Sequence, residues 1–356
     1  MGEGSERNFD SRSSAACLRR VPDLKMASNE GASLGFKIYI LLVLTLNATG
    51  YILLIRYTRS QAGALYSSTT TVVLTEVSKL LISLLLLVKE HRSVLGMLND
   101  VWNGVFMNPR DTFKMCVPSI IYAIQNNLAF VALSNLDAAT YQVSYQMKVI
   151  TTAMFMVLML NKSLSKFQWL AILLLFMGVA LVQVESATGT KAGEAHYNYP
   201  VGLLCIVISC LCSGFAGVYF EKVLKGTSTS LWIRNVQMYM FGIVSGLVAV
   251  FSTDSEVILE KGFLHGYNYL VWLVVAMASI GGLYTSVVVK YTDNIIKGFS
   301  TAVSIVLAAV GSFLIFQKTF GLLFVMGTGM VICAVYLYSL PKPPPPKPLT
   351  QPRETV

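Results

Sequence analysis

Asp137-Ala-Ala-Thr-Tyr-Gln-Val-Ser-Tyr-Gln-Met-Lys148-Val-Ile-Thr-Thr-Ala-Met-Phe-Met-Val-Leu-Met-Leu160 is the stretch that decides how this chain is read. It is apolar and long enough to cross a bilayer, whose hydrocarbon core takes about 20 helical residues. Lys148 falls near its centre, ~16 Å from either end at about 1.5 Å per residue, too deep for the ammonium to snorkel comfortably. A central lysine costs about 2.5–3.5 kcal/mol on insertion scales. Such a charge is kept where it faces a cavity and meets an anion, so the stretch points to a carrier of something negative.

The rest of the chain agrees with a membrane setting. Its 356 residues are 54% hydrophobic and only 13% charged, against about 25% charged in a soluble domain, and mean hydropathy is +0.62. The net charge of +9 sets orientation in such a protein and is weak evidence for nucleic acid, which is not expected as a partner. Of six cysteines, Cys116, Cys205, Cys210, Cys212 and Cys333 lie in apolar segments and read as buried thiols. The three histidines, His91, His196 and His265, fall in expected loops, so no metal, cofactor or catalytic constellation is visible. The first 35 residues are polar and charged, unlike a cleavable signal peptide.

Ten apolar spans follow: Phe36–Ile55, Leu65–Val88, Phe113–Leu133, Asp137–Leu160, Phe167–Val184, Val201–Val223, Leu231–Phe251, Tyr269–Tyr291, Asn294–Phe316 and Phe320–Leu340. The two sets of five match at an offset of 156 residues: Asp137 overlays Asp293, Tyr141 overlays Lys297, Ser144 overlays Ser300, and Lys162-Ser163 overlays Lys318-Thr319. Five is odd, so two such halves insert with opposite orientation, a recurring carrier design with its site at the repeat interface. The expected fold is an all-α polytopic membrane protein with ten transmembrane helices in two inverted five-helix repeats. Residues 1–35 form an N-terminal tail, 36–188 and 189–341 the two halves, and 342–356 a Pro-rich tail. The basic tails and the excess of Lys and Arg at Lys89, Arg92, Arg110, Lys162, Lys166, Lys222 and Lys225 place both ends in the cytosol.

Lys148 shares a helix face with Tyr141, with Ser144 and Tyr145 beside it, a line of ring, hydroxyl and ammonium that suits a nucleoside next to a phosphate. The alternative is that Lys148 pairs with a buried acid; Glu76 is the main one, although Lys79, one turn away, is its simpler partner. Tyr122, Gln125 and Asn126 stand at i, i+3 and i+4 on the preceding span. Amides carry donor and acceptor together and read a nucleobase edge, or else they glue helices at roughly 0.6–2 kcal/mol each. Lys297, near the start of the ninth span behind the N-cap candidate Asp293, either snorkels to the interface or joins Lys148 in clamping a doubly charged anion. Gly281-Gly282 suits close helix approach or a gate, and Cys212-Ser213-Gly214 through Gly217 has the same small-residue character. Asn235 and Tyr239 stand one turn apart in the seventh span, with Asn235 a candidate cap and Tyr239 a packing ring.

At these residues the chain resembles the nucleotide-sugar transporter family. The matching blocks are Tyr122-Ala-Ile-Gln-Asn-Asn127, Ala132-Leu-Ser-Asn-Leu-Asp-Ala-Ala139, Tyr141-Gln-Val, Tyr145-Gln, Cys212 through Lys225, Ser230-Leu-Trp-Ile-Arg-Asn235, Gln237-Met-Tyr239, Gly281 through Asn294 and Lys297-Gly-Phe-Ser300. The resemblance implies a Golgi antiporter, not an enzyme, with no cofactor. It implies that Tyr122, Gln125, Asn126 and Tyr141 hold the nucleotide, that Lys148 and Lys297 meet phosphate, and that Asn235, Tyr239 and Ser286 line the site. The implied partners are a nucleotide sugar, a nucleoside monophosphate and the lipid bilayer, with homo-oligomerisation or glycosyltransferase association as further options. Gly282-Leu-Tyr-Thr-Ser286 and Lys290-Tyr-Thr-Asp293 resemble the CMP-sialic acid branch. Thr140 and Lys148-Val-Ile-Thr-Thr-Ala-Met-Phe155 resemble the UDP-sugar branches. The expectation is import of CMP-sialic acid in exchange for CMP, with UDP-galactose or UDP-N-acetylglucosamine against UMP as the alternative.

Overall fold

The computed structural model of the chain describes residues 33–60, 66–136, 141, 144–187, 198–315 and 321–340. The two tails, Asp137, Thr140, Lys318 and Thr319, and with them two of the repeat matches, lie outside the described residues. So do the side chains of several helical residues, Asn126 among them.

Among the described residues all regular structure is helical: α1 Leu34–Ser60, α2 Ser68–His91, α3 Val94–Val101 with a π-helical turn Trp102–Phe106, α4 Pro109–Asn135, α5 Lys148–Leu160, α6 Lys166–Ala187, α7 Tyr199–Lys225, α8 Leu231–Thr253, α9 Ser255–Lys261, α10 Tyr269–Tyr291, α11 Asn294–Ile315 and α12 Leu322–Ser339. Starts and stops follow the capping rules. Ser67, Ser230 and Asn268 accept from the first-turn amides of α2, α8 and α10, satisfying donors that a helix start leaves orphaned. Arg92 and Asn161 take left-handed backbone at the ends of α2 and α5. Among the described residues, six helices (α1, α2, α7, α8, α10 and α11) are long and apolar enough to cross a membrane by length and composition; α4, α6 and α12 run over 27, 22 and 18 residues, and α5 is a shorter apolar helix of 13. The chain is a multi-pass membrane protein. Its large exposed side chains, such as Leu42 and Leu46 of α1, Leu170 and Leu173 of α6, and Val325 and Ile332 of α12, are apolar and suit lipid.

Three expectations change. Lys148 is not the middle of a regular helix: the chain tightens before it, with Met147 N–H bonding to the Ser144 carbonyl and Val149 N–H to that of Gln146, and α5 starts at Lys148 itself. It nevertheless stands about 18 Å from Leu160 at 1.5 Å per residue, so the charge stays deep. Residues 94–106, read as a loop, form α3 and its π turn, with Val94, Leu95, Leu98, Trp102 and Phe106 exposed in a stripe that suits the headgroup boundary. Cys333 is exposed, whereas Cys205 and Cys210 are buried as expected.

The helices pair as α6 with α12, α2 with α8, α4 with α7, α1 with α10, α5 with α7 and α1 with α11, and further as α4 with α8 and α2 with α10. The main core joins Val149, Ala153 and Met156 of α5 to Ile172, Leu175 and Val179 of α6, Phe299 and Val306 of α11, and Phe324 and Val331 of α12. At one end Lys162, after α5, pairs with Asp293, before α11. At the other, Ser67 and Thr69 donate to the Asp254 carboxylate, each at 2.5 Å. The tightest seam is α6 on α12, where a Cβ on Gly178 would lie 2.8 Å from the Gly327 carbonyl oxygen and 3.0 Å from Met330 and Val331. Gly178→Ala therefore forces the backbones apart, at about 1–3 kcal/mol. The expected outcome is a lower melting temperature in detergent; an unchanged one would show that the seam yields freely.

Candidate functional site

Among the described residues, the polar side chains that the sequence singles out gather mainly in two places. The first is a cavity of about 100 Å³ between α4, α5, α7 and α11, lined by Tyr122, Gln146, Lys148, Thr152, Ser213, Gly217, Asn294, Lys297 and Thr301 among others. Close helix approach assembles it. A Cβ on Gly214 would fall 2.8 Å from Thr151 Oγ1 and 2.9 Å from the backbone of Thr151 and Thr152. Thr151 Oγ1 donates to the Cys210 carbonyl at 2.7 Å. The absence of a side chain at Gly214 thus lets α5 rest on α7, as the small-residue run suggested.

Lys148 and Lys297 line this one cavity, and among the described residues neither has an ion-pair partner. Glu76 pairs with Lys79 at 2.5 Å, so the reading of Lys148 as its counterion falls. The Lys148 ammonium instead sits 4.5 Å from the Tyr145 ring centre, a cation–π contact worth about 2 kcal/mol when desolvated. Tyr145 stacks on Tyr141 at 5.8 Å and 9°, and its hydroxyl accepts from Gln125 Nε2 at 2.7 Å. Gln125 and Tyr141 thereby act on the cavity through Tyr145, while Tyr122 lines it directly.

The other wall is the start of α11. Asp293 Oδ1 accepts from Ile296 N–H at 2.8 Å, so it caps the helix as its position predicts. Glu221 of α7, 2% exposed, accepts from the backbone N–H of Asn294 at 2.9 Å and from its Nδ2 at 3.0 Å. Lys225 donates to Glu221 at 2.7 Å and also reaches the Thr292 carbonyl. Lys297 follows one turn higher on α11, turned toward the cavity that Lys148 also lines rather than snorkelling to the interface.

The second gathering lies between α2, α8 and α10. Asn235 Nδ2 donates to Ser286 Oγ at 2.9 Å, and Lys79 stands 4.4 Å over the Tyr239 ring. Asn235 is no cap; Ser230 fills that role, and Asn235 is buried one turn on. A Cβ on Gly282 would fall 2.7 Å from Lys79 Cδ and one on Gly281 2.6 Å from Asn47 Nδ2, so this pair serves close approach. Asn235, Tyr239 and Ser286 do not line the cavity of the two lysines. Residue-by-residue reading of the sequence missed Thr152, Ser213 and Asn294 as lining residues. The spacing carried part of the signal, since Thr152 is i+4 from Lys148 and Asn294 is i−3 from Lys297.

Residues 32–339 match the family model described as nucleotide-sugar transporter. The chain is 48% identical over 320 residues to a protein of Bos taurus named UDP-galactose translocator, covering 90% of this chain and 81% of the relative. It is 50% identical over 303 residues to the UDP-galactose translocator of Homo sapiens, covering 85% and 76%. It is 44% identical over 308 residues to the UDP-N-acetylglucosamine transporter of Homo sapiens, covering 85% and 94%. A solved chain described only as "Crystal structure of protein" shares the fold, with a TM-score of 0.60 at 12% identity over 84% of this chain and 96% of its own. The protein belongs to the nucleotide-sugar transporter family and is a transporter, not an enzyme.

These relatives overturn the expectation of CMP-sialic acid as the cargo. The geometry explains the error. Tyr284, which weighed for the CMP branch, packs against the cluster of Ile40, Leu44 and Val288, and Thr285 Oγ1 donates to the Gly281 carbonyl of its own helix. Thr152, which weighed for the UDP branches, lines the cavity.

The Glu221 network sets a stability expectation. Glu221→Ala leaves the Lys225 ammonium and the α11 amide without their buried acceptor, at about 3–5 kcal/mol. The melting temperature of the purified protein should drop by several degrees, and recovery in Glu221→Gln should be partial because the amide keeps one acceptor oxygen.

Proposed function

We propose that this protein exchanges a UDP-linked sugar, UDP-galactose or UDP-N-acetylglucosamine, for UMP across the Golgi membrane. The observation that carries the reading is the convergence of Lys148 and Lys297, without carboxylate partners among the described residues, on one buried cavity. Two ammonium groups held apart from counterions in a low-dielectric setting suit a multiply charged phosphate. The choice of UDP over other nucleotides rests on the names of the relatives at 44–50% identity.

In this reading Lys148 and Lys297 meet the phosphates. Tyr122, Gln125, Asn126 and Tyr141 hold the nucleoside beside them. Asn235, Tyr239 and Ser286 serve the same path from α8 and α10. A cavity of about 100 Å³ is smaller than the ~300–1,000 Å³ of a ligand site, so the helices part to admit substrate. Exchange in proteoliposomes loaded with UMP tests the whole reading. UMP should compete with labelled UDP-sugar uptake better than CMP does, and the reverse order would overturn it. In the same assay Lys148→Ala and Lys297→Ala should each lose about 30- to 150-fold in affinity, the equivalent of about 2–3 kcal/mol per charge-assisted contact. The melting temperature of Lys297→Ala should hold, since no ion pair among the described residues is broken, and that of Lys148→Ala should fall by no more than the lost Tyr145 contact, about 2 kcal/mol, accounts for; a larger drop in either would mark the lysine as structural.

The halves 36–188 and 189–341 act, in this reading, as inverted repeats. The helix pairings support it: exchanging α1, α2, α4, α5 and α6 with α7, α8, α10, α11 and α12 maps α4–α7 onto α10–α1, α5–α7 onto α11–α1 and α4–α8 onto α10–α2, and leaves α2–α8 and α6–α12 in place. Ten crossings bring both termini to one side, and the basic tails choose the cytosol. Tags at the two ends should both bind antibody when only the plasma membrane is permeabilised; access to a single tag would break the ten-span topology.

A further inference from the structure

One acceptor on the cavity wall remains unused. Asn294 is 2% exposed and lines the cavity, one turn before Lys297. Its Nδ2 donates to the Gly217 carbonyl at 2.6 Å and to Glu221 Oε2 at 3.0 Å. Both partners are acceptors, so the amide has only one orientation: the nitrogen is spent on those two groups and the oxygen lies beside the Cα of Gly217, where no donor meets it. That oxygen, Oδ1, is buried and has no hydrogen-bond partner among the described residues. A buried amide oxygen left unpaired costs about 1–3 kcal/mol, and on the wall of a cavity a ligand that brings a donor removes that cost.

Gly217 keeps the approach open. A Cβ there would lie 3.3 Å from Oδ1, so any side chain would crowd the oxygen, and Gly217 itself lines the cavity. The Glu221 carboxylate, buttressed by Lys225, holds the amide from behind. The assembly is a rigid, oriented, unpaired acceptor beside an ammonium group, at the first turn of a helix of 22 residues.

We propose that Asn294 is a substrate-contact residue whose Oδ1 accepts a hydrogen from a hydroxyl adjoining the phosphates, either of the ribose or of the transported sugar. This rests on the reading of the cavity as the phosphate site and adds to it a neutral contact that tests for a hydroxyl rather than for charge. A substrate without that hydroxyl leaves Oδ1 unpaired in the loaded protein, whereas the correct one removes the cost at the moment of binding.

The experiment is inhibition of labelled UDP-galactose uptake into proteoliposomes by UMP, 2′-deoxy-UMP, 3′-deoxy-UMP, UDP-galactose and UDP-2-deoxygalactose. With the wild-type protein, one deoxy compound should bind about 5- to 150-fold more weakly than its parent. The ribose and sugar arms of the series identify which hydroxyl is read. In Asn294→Ala the parent compound should fall to the level of that deoxy compound, abolishing the discrimination. Because that variant also gives up the Glu221 bond, Gly217→Ala is the second test: it keeps every Asn294 bond, sets a methyl group against Oδ1, and should erase the same discrimination in a protein that still folds. The proposal is overturned if the wild-type protein takes every deoxy compound within about twofold of its parent, or if discrimination survives in folded Gly217→Ala. Should a nucleotide other than UMP drive exchange, the substrate reading fails alone, and the deoxy series of that nucleotide still decides the Asn294 contact.

Discussion

A charge inside an apolar bundle must find a partner or a cavity, and that constraint organises this molecule. Among the described residues, the carboxylates inside the bundle find cations there: Glu76 pairs with Lys79, Glu221 with Lys225 and the α11 amide, and Asp293 with Lys162. Lys148 and Lys297 are matched by none of them and converge on one cavity instead. Without water to solvate them, the bundle spends its acids on structure and leaves these two ammonium groups facing open space.

The matched pairs and the cavity are mechanically joined. Glu221 holds the first turn of α11, and α11 carries both Asn294 and Lys297 to the cavity. Gly214 brings α5 onto α7, which sets Lys148 opposite them. Gln125 and Tyr141 reach the same point through the Tyr145 ring that underlies Lys148. Away from the cavity, the fully buried Arg234 ties α8 to Asp111 at 2.6 Å and to Gln237, Thr227 and Thr229, a network of fixed polar contacts. Arg234 Nε alone stays unpaired there, among the described residues.

Membrane character, the cap at Asp293 and the depth of Lys148 were readable one residue at a time, because they depend on hydropathy, local donors and position along a helix, and the repeat offset added the convergence expected of Lys148 and Lys297. Spacing alone could not show which polar residues share a wall. Asn235, Tyr239 and Ser286 have the same composition as cavity residues yet pair among α2, α8 and α10. The substrate branch was misread for the same reason: Tyr284 and Thr285 are distinctive in sequence but face an apolar cluster and their own helix.

What the sequence determined by itself is that the chain lives in a membrane and must shelter deep lysines, since composition and the cost of burying charge depend on nothing further. Tertiary structure decided where the shelter is and what lines it. The approach permitted by Gly214 and the orientation of the Asn294 amide each arise from contacts between helices distant in sequence. Such contacts set the direction of a side chain through packing and hydrogen bonds that no local pattern encodes.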